Sequence, residues 1–150
     1  MNKLTLNSCK RRLATLWFGV SAVLFLVVFV QSVFPHYGGQ VEVAWSWFLP
    51  TLLPTLSLMV GVLVADAKDK GGRDRSVDSF TYRLGFGVSA FYLIIVMVTL
   101  LLQPFAAPAG KAVDFLKTSN LWLAPLQGLA SAALGAFFIR VEPAEKTGGD

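Results

Sequence analysis

Residues 66–83 read DAKDKGGRDRSVDSFTYR, in which Lys68, Lys70, Arg73, Arg75 and Arg83 alternate with Asp66, Asp69, Asp74 and Asp78. On either side, residues 47–65 and 84–102 form runs of 19 residues without a charge. A helix needs about 20 apolar residues to cross the hydrocarbon core of a bilayer, and both runs meet that length. A short Lys/Arg-rich loop between two such runs stays on the cytoplasmic side, which sets the direction of every other segment.

Working outward, residues 13–34 and 121–139 supply two further uncharged runs. The expected fold is an all-α membrane protein, a single four-transmembrane-helix bundle with spans at about 13–34, 47–65, 84–102 and 121–139. Under that topology Lys3, Lys10, Arg11, Arg12, the five basic residues of the central loop, Arg140 and Lys146 lie inside, and only Lys111 and Lys117 lie outside. Orientation follows the Lys/Arg bias of short loops, so both termini are expected inside (N-in/C-in).

Composition agrees with a bilayer environment. Of the 150 residues, 55% are hydrophobic and 15% charged, against about 25% charged in soluble domains. Four spans leave no length for a soluble catalytic domain, and one domain covering residues 1–150 is expected. The net charge of +4 is partitioned by membrane side and implies no nucleic-acid partner. Cys9, the single cysteine, excludes an internal disulfide and any dithiol relay. It is read as a small inert thiol in a short basic tail. Compactness and the absence of glycosylation sequons point to the bacterial inner membrane.

Along the chain, Trp17 is expected near the inner interface, and Pro35 with Gly38-Gly39 breaks the first helix. An outer loop of about a dozen residues, PHYGGQVEVAWS, should lead to an aromatic belt of Trp45, Trp47 and Phe48 at headgroup level. The second span opens on Pro50-Thr51-Leu52-Leu53 and Pro54-Thr55-Leu56-Ser57. Pro54 should bend the helix, with Thr51 or Thr55 able to serve the carbonyl that it frees. Lys70–Arg73 is read as a turn, and Ser76–Tyr82 as the start of the third helix. Gln103-Pro104 should end that helix, residues 109–117 could form a short surface helix, and Asn120 should cap the fourth. Residues 141–150 have no apolar period.

Chemistry is sparse. No Asp, Glu, Lys, Arg or His falls inside a span, although ionisable side chains at that depth are the usual mark of transport or catalysis. The spacing of the four loop aspartates partly resembles the aspartate pattern of CDP-alcohol phosphotransferases, but its Asp-Gly adjacency, Ala-Arg pair and later aspartates are missing. No catalytic residue, cofactor or metal is therefore expected, and His36 is read as a solvated loop residue. Gln127 lies about two turns into the fourth span, where it could bond a neighbouring helix or, with Pro50 and Pro54, line a path. Ala124, Gly128, Ala132 and Ala136 recur every four residues and so share one helix face, a groove suited to close helix packing.

These residues lead to an expected function. The chain is read as a non-enzymatic membrane protein that self-associates through the fourth helix. Lys68, Lys70, Arg73 and Arg75 are expected to contact a cytosolic partner or anionic lipid. An anchor, sensor/effector or immunity-type role fits that description. The alternative is a small channel or transporter built on the Pro50/Pro54 helix and Gln127.

Overall fold

The computed structural model of the chain describes residues 4–68, 76–77, 79–106 and 111–139. It is built of four helices, α1 (Leu6–Val33), α2 (Val41–Lys68), α3 (Ser79–Ala106) and α4 (Ala112–Ile139), each of 28 residues. At 1.5 Å per residue such a helix is about 42 Å long, enough for the hydrocarbon core and both headgroup layers. Three are long and apolar enough to cross a membrane, over Ser8–Val33, Val41–Ala65 and Ser79–Phe105. The described part of α4 is not among them. It opens with Asp114 and Lys117, carries Pro125 and Gln127, and is rich in Gly, Ala and Ser.

The helices overrun the uncharged runs, and this corrects several sequence expectations. α2 begins at Val41, so the expected dozen-residue outer loop contracts to a 3₁₀ turn, Pro35–Tyr37, and the residues up to Gln40. Gly38 and Gly39 make that reversal with φ of 54° and 84°, a left-handed conformation that glycine adopts without a Cβ clash. α3 runs past Gln103-Pro104 to Ala106, because a proline near a helix end removes only one bond of the ladder. α4 starts at Ala112 and is continuous, so there is no separate surface helix, and Asn120 lies inside α4 rather than capping it. Ser76 and Val77 do not open α3. They form β2 (Ser76–Val77), antiparallel to β1 (Leu4–Thr5), with Leu4 opposite Val77 and Thr5 opposite Ser76. That pair holds the starts of α1 and α3 at the same end of the bundle. The expected turn at Lys70–Arg73 and the tail from 141 to 150 lie outside the described residues.

The core takes one stripe from each helix: Leu13, Trp17, Leu24 and Val28 of α1; Leu52 and Met59 of α2; Tyr92, Leu93, Val96 and Leu100 of α3; Leu123, Ala130, Leu134 and Phe137 of α4. α4 packs chiefly on α3 and secondarily on α2. The opposite stripes are also apolar. Leu26, Phe29, Val60, Val64, Ile94, Leu101 and Leu129 are all exposed. Exposed apolar surface on this scale is foreign to soluble monomers, and lipid is the solvent it suits.

Trp17 is not an interface anchor. It is fully buried, with its ring 5.9 Å from that of Tyr92. The aromatic belt is corrected in the same way. Because α2 starts at Val41, Trp47 and Phe48 fall on its second turn and point into the bundle, where they are buried. Trp45 is half-buried, edge-on to Phe25 at 5.3 Å and to Phe48 at 5.8 Å. Cys9 belongs to α1, not to a loose tail, and is buried.

Candidate functional site

The most structured polar arrangement of the described residues surrounds the prolines of α2. A proline has no N–H, so Pro54 leaves the carbonyl of Pro50, four residues earlier, without its helical donor. Gln127 of α4 fills that place, donating from Nε2 to the Pro50 carbonyl at 3.0 Å. The next carbonyl, Thr51, accepts from the Tyr92 hydroxyl of α3 at 2.8 Å. Two neighbouring helices thus supply donors to two successive carbonyls at the proline step. The hydroxyls favoured from sequence do not do this. Thr51 Oγ1 donates to the Trp47 carbonyl at 2.6 Å, and Thr55 Oγ1 is buried with no hydrogen-bond partner among the described residues.

One turn earlier, Trp47 Nε1 donates to Ser119 Oγ of α4 at 3.1 Å, and Ser119 donates in turn to the Leu116 carbonyl at 2.6 Å. α2 is therefore fastened to α4 twice, at Trp47 and at Pro50. The α1–α2 reversal is fastened separately. Trp45 Nε1 donates to Ser32 Oγ at 3.1 Å, and the Tyr37 hydroxyl donates to Gln31 Oε1 at 2.6 Å. Burial pushes the Tyr37 hydroxyl up to about 12, with neighbouring Gln103 opposing in part, so it remains a donor throughout the physiological range. His36 is not the solvated residue expected. It is half-buried, stands edge-on to Tyr37 at 5.4 Å, and its Nε2 has no hydrogen-bond partner among the described residues.

The small-residue rows divide between inside and outside. On α3, Gly85 and Ser89 are buried, and a Cβ added at Gly85 would stand 3.9 Å from the Ala133 carbonyl of α4. On α4, Ala124, Gly128, Ala132 and Ala136 are all exposed, and a Cβ at Gly128 would meet nothing within 4 Å. Ser57, Gly61 and Ala65 of α2 are exposed as well. Lys68 closes α2, whereas Lys70, Arg73 and Arg75 lie outside the described residues.

Pro50, Pro54 and Gln127 come together, and the Ala124 row shares one open face. Sequence reasoning missed Tyr92 and Ser119 as partners of α2. Both are ordinary polar residues of apolar helices, and only the tertiary pairing gives them a target. Compared with protein-family models, curated proteins and solved structures, the chain matches none.

Proposed function

We propose that the chain is a non-enzymatic integral membrane protein that crosses the bacterial inner membrane four times, N-in/C-in, and self-associates through the outward face of α4. Its basic inner loop, with Lys68, Lys70, Arg73 and Arg75, would engage anionic lipid or a cytosolic partner, in an anchoring, sensing/effector or immunity-type role. The observation that carries the reading is the row of Ala124, Gly128, Ala132 and Ala136, all of which are exposed among the described residues. In lipid, helices gain nothing from the hydrophobic effect by meeting. Close backbone approach through small side chains supplies the association instead.

Gly128→Leu and Ala132→Leu test this. Space stands open where the Gly128 side chain would grow, so the larger residue leaves the single chain intact and blocks only a neighbour. Wild type should run as an oligomer by crosslinking and native mass in lipid, and each variant should shift toward monomer with unchanged helicity. If both variants keep the wild-type mass, the α4 face is not the subunit contact.

A further inference from the structure

Arg11 and Arg12 are exposed on the second turn of α1, at the end of the bundle where β1 meets β2. Between α1 and α3 lies a crevice of about 960 Å³, lined by Arg11, Arg12, Thr15, Gly19, Tyr82 and Phe86 among others. On the other flank of α1 a second crevice, of about 450 Å³, is lined by Arg11, Thr15, Gly19 and Leu63 among others. Arg11, Thr15 and Gly19 are spaced by four, so they share one face of α1 and descend about 12 Å from helix end toward mid-bilayer. Gly19 leaves the floor of that face open, for a Cβ there would meet nothing within 4 Å. Thr15 is drawn back, its hydroxyl donating to the Arg11 carbonyl at 2.8 Å.

The arrangement is cationic at the rim and apolar along its length. We infer that this crevice binds one anionic phospholipid, its phosphate on the Arg11 and Arg12 guanidinium groups and an acyl chain along Gly19 and Phe86. Guanidinium is matched to phosphate oxygens by its planar fork of donors. The rim lies where a lipid phosphate sits when α1 spans the bilayer. A free phosphate would engage the arginines but leave the apolar walls uncovered, whereas a phospholipid covers both. The inference rests on α1 being a span with its Arg11 end at an anionic leaflet, and it is separate from the contact assigned to the inner loop.

The test is lipid retention by the purified full-length protein, measured by native mass spectrometry. Phosphatidylglycerol and phosphatidylcholine of identical acyl chains are the probes. Wild type should retain phosphatidylglycerol preferentially, and Arg11→Gln with Arg12→Gln should cut that preference by about fivefold for each arginine removed. Gly19→Leu should weaken retention of phosphatidylglycerol by filling the floor, with helicity unchanged. The loop variant Lys68→Gln/Lys70→Gln/Arg73→Gln/Arg75→Gln should keep the preference, and inorganic phosphate should not displace the lipid. Equal retention of the two lipids would overturn the site, as would a preference that survives loss of both arginines. Displacement by inorganic phosphate, or loss of the preference in the loop variant, would overturn it too. A chain without lipid preference that still fractionates with the bilayer sinks the lipid site and leaves the span standing.

Discussion

Trp17→Ala should lower the stability of the bundle by about 3–5 kcal/mol, the range for deleting a large aromatic side chain from a packed core. Trp17 is fully buried and packs on Tyr92, and Leu13 and Leu24 continue the same buried stripe. An alanine would leave a cavity that rigid helices close only in part. Trp17→Phe should cost much less, since a ring remains and the lost indole N–H is buried with no hydrogen-bond partner among the described residues. Reversible unfolding in mixed micelles measures both, with Phe29→Ala on the exposed stripe as reference. If Trp17→Ala and Phe29→Ala cost the same, Trp17 is not a core residue.

Gln127→Leu should cost about 1–2 kcal/mol by the same measurement, because it strips the donor from a carbonyl that α2 cannot satisfy alone. The cause can be isolated. In a Pro54→Ala background residue 54 regains its N–H, the Pro50 carbonyl recovers its helical donor, and Gln127→Leu should become nearly neutral. The two substitutions should therefore couple by more than about 0.5 kcal/mol, whereas independent sites add within that margin. Additive effects would mean that Gln127 stabilises the bundle by some other contact than the one at 3.0 Å to Pro50.

Charge patterning made the helical segments legible. An uncharged run of span length has few ways to satisfy its backbone in lipid other than a helix, and the four runs lie within the four helices except for Phe34. Helix ends were not legible, because each 28-residue helix continues past its uncharged run, and scattered polar or charged residues do not by themselves stop a helix. Val41–Ser46 and Asp114–Asn120 are helical for that reason although they look like loop. Tryptophan positions misled for a related reason. Distance from the last charge places a residue in depth, but not on the inner or outer face of its helix. Trp17 and Trp47 face inward.

The prolines show what a local rule can and cannot reach. Pro54 marks a carbonyl in need of a donor from sequence alone, and Gln127 stands out as polar in an apolar helix. That these two needs answer each other follows only from the packing of α4 on α2. The outward row of Ala124, Gly128, Ala132 and Ala136 was legible as a face by its spacing, while its exposure required the placement of α3, which takes the adjoining face with Leu134 and Phe137.

The number and sense of the crossings are tested most directly by cysteine accessibility in intact cells, in a Cys9→Ser background. Gln40 serves as the outer site between α1 and α2, because Gly38 and Gly39 hold positive φ and would be strained by a side chain. Gln40→Cys and Ala109→Cys should react with a membrane-impermeant maleimide from outside. Gly72→Cys and Thr147→Cys should react only after permeabilisation. Labelling of Gly72→Cys in intact cells would contradict the N-in orientation, and labelling of Thr147→Cys there would mean that α4 does not cross.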